Sequence, residues 1–164
     1  MTFEYMNKND FGSLSRQIFD ILADNMSVIA PTDNSREEDF ECWVSAVGDG
    51  LCRDARQIIL IKNSKEIIGY FQYYTTEDTL MMEEIQLVSE WHGKANIFRN
   101  LYGFLFKNIL RNLKYVKAYA SKQNKKSISI LQRLGLKNVG ENKNGNSYFF
   151  TGDFADLLNW YKGE

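Results

Sequence analysis

Residues 80–113 read LMMEEIQLVSEWHGKANIFRNLYGFLFKNILRNL, and the way this stretch divides decides the fold. Leu80 to Val88 is rich in apolar, β-compatible residues interrupted by Glu83 and Glu84, and predicts a buried strand. From about Ala95 or Asn96 the chain carries Ile97, Leu101, Leu105 and Ile109 at steps of four, the one-face repeat of a long helix. Between them lies SEWHGKA, in which Gly93 lets the backbone come close to a ligand. A strand that turns through a glycine into a helix N-terminus presents free N–H groups and roughly half a positive charge, which suits an anion. The same pattern also serves as an ordinary strand-to-helix turn, and the rest of the chain decides between the two.

At 164 residues, with 44% hydrophobic and 14% aromatic content, the chain fits one domain (1–164) with a sizeable core. The net charge is −1 and the basic residues are spread along the chain, which argues against nucleic acid as a partner. No N-terminal apolar run resembles a signal peptide and no stretch has the length to span a membrane, so a cytoplasmic location without a membrane partner is the expectation. Cys42 and Cys52 have no metal-ligand spacing and His92 is the only histidine, so no metal site is expected and both thiols are taken as reduced.

The flanking sequence builds outward from the central stretch. Thr2–Met6 alternates as a first strand; Asn9 and Asp10 then offer caps for a helix with the stripe Leu14, Ile18, Ile21 and Leu22. Ser35 and Glu38 fit a capping box opening a second helix through Phe40, Cys42, Trp43, Val44 and Val47, with Cys42 read as packing and Gly48 and Gly50 as the stop. Residues 57–62 (QIILIK) and 67–75 (IIGYFQYYT) flank a short polar turn and predict an antiparallel hairpin leading into the central strand. After the central helix come a strand at Tyr115–Ala120, a helix from Asn124 to Leu134 stopped by Gly135, and a hairpin of Leu136–Gly140 with Ser147–Thr151. Asp153 caps a closing helix bearing Phe154, Leu157, Leu158 and Tyr161.

This order, β-α-α-β-β-β-α-β-α-β-β, resembles that of the GNAT superfamily of acyl-CoA-dependent N-acyltransferases. The residue-level match lies in residues 80–136. The family's pattern after its fifth strand falls on Asn124, Ser127, Ile128, Leu134, Gly135 and Leu136. Its pyrophosphate loop, Gln/Arg-x-x-Gly-x-Gly/Ala, falls on Glu90, Gly93 and Ala95. The loop motif is degenerate: Glu90 stands where the family has Gln or Arg, and the loop after Val88 is short. Leu131 occupies the position of the family's acid tyrosine, and Leu136 that of an aromatic. The fold implied is α/β: a mixed sheet of about seven strands, antiparallel in its N-terminal half, with a parallel β4/β5 pair splayed in a V and helices on both faces.

The resemblance implies an N-acetyltransferase that uses acetyl-CoA as co-substrate, without metal, and passes the acetyl group directly to a primary amine of a small molecule or peptide. Backbone groups of Gln86, Leu87, Val88 and Ser89 would pair with pantetheine, an N–H near Val88 would stabilise the oxyanion, and the N–H groups of His92, Gly93, Lys94, Ala95, Asn96 and Ile97 would take the phosphates. Asn124 would either contact the pantetheine arm or order the turn before its helix, with Ser127 following. Glu83 and Glu84 are the base candidates; as strand neighbours they face opposite ways, and Glu84, on the face of Gln86 and Val88, is favoured over Glu83, with an edge-solvent role for both weighing equally. Tyr119 and Ser121 are the hydroxyls for an acid, with core packing the plainer role for Tyr119 and solvent an alternative proton source. Tyr70, Tyr73 and Tyr74 wall an acceptor pocket or pack the sheet. A catalytically silent module binding acyl-CoA or a protein partner is the alternative, and a homodimer is left open.

Overall fold

The computed structural model describes residues 1–53, 56–94, 96–109 and 112–163. These form β1 (Thr2–Tyr5), α1 (Phe11–Ile29), α2 (Arg36–Cys52), β2 (Arg56–Asn63), β3 (Glu66–Thr75), β4 (Thr79–Leu87), α3 (Ile97–Asn108), β5 (Tyr115–Ser121), α4 (Lys125–Arg133), β6 (Lys137–Glu141), β7 (Ser147–Asp153) and α5 (Phe154–Lys162). The element order is the expected one. The strands make one seven-stranded mixed sheet in the order β1-β2-β3-β4-β5-β7-β6. β4 and β5 run parallel, with Thr79–Met82 opposite Tyr115–Ala118, while the other neighbours are antiparallel. By density of contacts the chain divides into two compact units, Met1–Tyr73 with Glu84–Ala95, and Tyr74–Glu83 with Asn96–Glu164. No described helix is long and apolar enough to cross a membrane.

In the first unit, one face of the hairpin supplies Ile58, Leu60 and Tyr70 to a core completed by Phe11, Ile18 and Ile21 of α1 and Val47 and Leu51 of α2. Phe19 binds the two helices together, with its ring centroid 5.3 Å from Phe40 and 5.6 Å from Trp43. α2 opens on the predicted capping box: Ser35 Oγ accepts from the Glu38 N–H, and Glu38 Oε2 accepts from the Ser35 N–H. The helix does not stop at Gly48 or Gly50. It runs on to Cys52 because Val47 and Leu51 both bury in the core. The bare Cα of Gly50 also leaves room for the Arg56 guanidinium, whose Nη1 donates to Ala46 O at 2.7 Å. Cys42 is exposed, so it does not pack as expected. The cap before α1 differs too. Asn7 caps a 3-10 turn at Lys8–Asp10 by accepting from the Asn9 N–H, and Asp10 precedes α1 without a side-chain cap bond.

In the second unit, β5 alternates buried Val116, Ala118 and Ala120 with exposed Tyr115 and Tyr119. Phe150, opposite Ala118 on β7, is fully buried. The covering helices bury Leu101, Tyr102 and Leu105 of α3 and Phe154 and Leu157 of α5. Their aromatic rings interlock edge-to-face, Tyr102 on Trp160 at 5.5 Å and Phe106 on Tyr161 at 5.3 Å. α3 ends at Asn108, earlier than its stripe suggests: Ile109 is already extended, and the Asn108 side chain donates to the end carbonyl of Phe104 at 2.7 Å. The register of β6 against β7 shifts between Asn138 and Gly140, a bulge at Val139.

Candidate active site

In the first unit the end of β4 lies against α1. Glu84 and Gln86 share a face, as two-residue spacing in a strand requires, and Gln86 Nε2 donates to Glu84 Oε1 at 2.8 Å. Asn25 of α1 reaches the same spot: its Nδ2 donates to Gln86 Oε1 at 2.8 Å and to the Leu87 carbonyl at 2.9 Å. That carbonyl also lies 2.9 Å from His92 Nε2, and since a carbonyl only accepts, His92 carries its proton on Nε2. Tyr70 of β3 turns into the core with its hydroxyl buried and unpaired among the described residues. Burial, then the charge of Glu84, pushes that phenol well above its ordinary value.

Asn25 was not foreseen, although its signal was present. It continues the stripe Ile18, Ile21, Leu22 at the next core-facing position, where a polar residue is out of place unless it has partners. Gly69 was also passed over. A Cβ there would overlap the Gln86 carbonyl oxygen and press on Leu87, so β3 and β4 come together at a point only glycine admits. The Val88 N–H, expected near the oxyanion, donates instead to Ile68 O at 2.9 Å. The Leu87 carbonyl, expected to meet pantetheine, already receives Asn25 and His92.

Beyond Leu87 a 3-10 turn at Ser89–Trp91 carries Glu90 exposed to solvent. The Lys94 ammonium lies 4.5 Å from the centre of the Trp91 ring. Gly93 has φ +73°, and a Cβ built on it meets nothing within 4 Å, so this glycine is required by its left-handed backbone and stands in open space. Ala95 lies outside the described residues.

In the second unit α3 starts unusually. Asn96 precedes it with φ 68°, a left-handed conformation that asparagine tolerates, and gives no side-chain cap to the first turn. Ile97 is buried at that start, fixing the helix end while its first N–H groups go uncapped. Arg99 leans on Trp160, donating to its carbonyl at 3.2 Å. Asn124 orders the turn before its helix: its Oδ1 accepts from the Ser127 N–H at 3.0 Å and caps α4. Ser121 Oγ accepts from the Gln123 N–H in the same turn. Tyr119 is not core packing; it is 47% exposed and stacks on Phe149 opposite it at 4.8 Å. Leu131 is the buried residue of α4 and carries no proton to give. Glu83, half-buried, alternates away from the Glu84 face.

At the level of sequence, no family model and no curated protein matches the chain. Solved structures do. An acetyltransferase from Streptococcus agalactiae superposes with a TM-score of 0.73 at 11% identity, over 93% of this chain and 98% of that one. The PaiA N-acetyltransferase of Thermoplasma acidophilum, solved in complex with coenzyme A, gives 0.68 at 15% identity over 94% and 100%. The spermidine N-acetyltransferase of Vibrio cholerae, solved with coenzyme A and spermine, gives 0.64 at 14% over 96% and 98%. The chain has the GNAT fold. With identities this low, what carries over is the fold, and the chemistry has to come from the chain's own residues. Two features of the GNAT motif have physical roles here that need no ligand: Asn124 caps a helix, and Gly135, at φ +89°, ends it.

Proposed function

We propose that this protein is an N-acetyltransferase that moves an acetyl group from acetyl-CoA to a primary amine of a small molecule or peptide. The amine nitrogen attacks the thioester carbonyl; the C–N bond forms, the C–S bond breaks, and the thiolate takes its proton from solvent. The ammonium proton passes to Glu84, a half-buried carboxylate held by a donor on one oxygen. The observation that carries the reading is the start of α3. A helix end whose first N–H groups have no side-chain cap is chemically matched to phosphate.

Leu131 favours a second reading, a silent module that binds acyl-CoA without turnover, because that buried position offers no acid. Two measurements separate the readings. Thermal shift with acetyl-CoA at about 100 times Kd should stabilise the protein by about 2.7 kcal/mol, and Gly93→Glu should abolish the shift. Turnover across a panel of primary amines, lost in Glu84→Gln, identifies the enzyme; a shift without turnover identifies the silent module. No shift at millimolar acetyl-CoA removes both.

A further inference from the structure

Glu84 does not stand alone at the end of β4: it receives a hydrogen-bonded chain whose polarity is set by the backbone. The Leu87 carbonyl can only accept, so the Asn25 amide must turn its NH2 toward it. The second hydrogen of that NH2 then meets Gln86 Oε1, which forces Gln86 to aim its own NH2 at Glu84 Oε1. Each of the three contacts is 2.8–2.9 Å, the length of a well-formed bond. The direction runs one way, from a backbone acceptor through two amides to a carboxylate that is left as acceptor only.

We infer that Asn25 and Gln86 are positioning residues that hold Glu84 in one rotamer and in the proton-accepting state. This rests on the acetyltransferase reading, since it gives Glu84's base role its mechanism. The arrangement is built into three parts of the first unit: α1 supplies Asn25, β4 supplies Gln86 and Glu84, and Gly69 of β3 lets the Gln86–Leu87 backbone come in close. It also accounts for an amide on the core-facing stripe of α1, where an aliphatic residue would otherwise pack. Ionisable groups facing the chain among the described residues include Tyr70, whose buried hydroxyl feels the Glu84 charge from β3, and His92, which donates to the Leu87 carbonyl.

Two isosteric variants test it. Gln86→Met keeps the volume and removes the donor to Glu84. Asn25→Asp keeps the shape, sets a carboxylate against the Leu87 carbonyl, and makes Gln86 reverse its amide so that an oxygen faces Glu84. With the amine that the parent acetylates, each variant should lower kcat by about tenfold or more, leaving KM for acetyl-CoA unchanged. Each should also move the acidic limb of the kcat/KM profile to higher pH, because the ionised carboxylate has lost its donor. A merely structural role would lower melting temperature without moving that limb. Parental kcat and an unmoved limb in either folded variant overturn the inference while leaving the acetyltransferase reading intact. If the parent acetylates no amine in the panel, that reading falls and takes the inference with it.

Discussion

Gly69 breaks a run of large side chains in IIGYFQYYT, and the structure gives the break a cause. The position of its absent Cβ is taken by the Gln86 carbonyl and by Leu87. Gly69→Ala therefore forces backbone apart, since the nearest neighbour is the Gln86 carbonyl oxygen and only the second, a Leu87 methyl, can swing aside. The expected cost is about 1–3 kcal/mol, read as a lower urea midpoint with unchanged slope. Because the displaced residue carries the Gln86 amide, turnover should fall further than stability alone explains. An unchanged midpoint would show that the two strands have slack here. Single residues of this kind are where sequence reading was weakest. Asn25 and Gly69 each violate the local pattern, a polar group on an apolar stripe and a glycine within a strand, but a violation does not name its partner. Glu84 was favoured from alternation, whereas the amide that orients its donor Gln86 comes from a helix about sixty residues away in sequence.

Elements were easier to read than residues because their signals are local. The capping box at Ser35 and Glu38 needs four consecutive residues, and all its bonds form as the spacing predicts. Element ends set by distant contacts were not legible: α2 passes two glycines because Val47 and Leu51 bury against β2 and β3, and α3 stops at Asn108. The capping box also makes a pH prediction. The Ser35 backbone N–H and then its hydroxyl hold Glu38 below its ordinary value of 4.5. A depressed carboxylate contributes stability that is present above that value and lost as pH falls through it and below. The melting temperature of Glu38→Gln should therefore lie below the parent's at pH 7, and the two should converge toward pH 3. A gap that stays constant with pH would assign the effect to the change of side chain rather than to the charge. Ser35→Ala removes the acceptor for the Glu38 N–H and should cost about 1 kcal/mol at pH 7.

At the scale of the whole chain, the element order was readable because periodicity switches cleanly between strand and helix. The neighbours β5 and β7, and the parallel pair β4 and β5, were not, since they join stretches separated by a helix or more; the parallel pair came from resemblance and the β5–β7 pairing only from the structure. The core these pairings create has an unusual content for a test that reaches both units. Of nine tyrosines, Tyr70 and Tyr73 in the first unit and Tyr102 in the second are buried. Desolvation raises all three phenols, aided by the Glu84 charge at Tyr70 and by the Tyr5 hydroxyl, 2.9 Å away, at Tyr73. A phenol whose value is raised on folding contributes stability that is complete below about pH 10 and lost as pH rises above it. Three such groups released together steepen the loss to about 4 kcal/mol per pH unit. Tyrosinate absorbance on raising pH should thus show three phenols that ionise only when the circular dichroism of the fold is lost. Tyr102→Phe should reduce the slope of stability against pH by about a third. Full ionisation of all nine with the native spectrum intact would mean that water reaches these hydroxyls in the folded protein, and that the two cores are looser than their burial indicates.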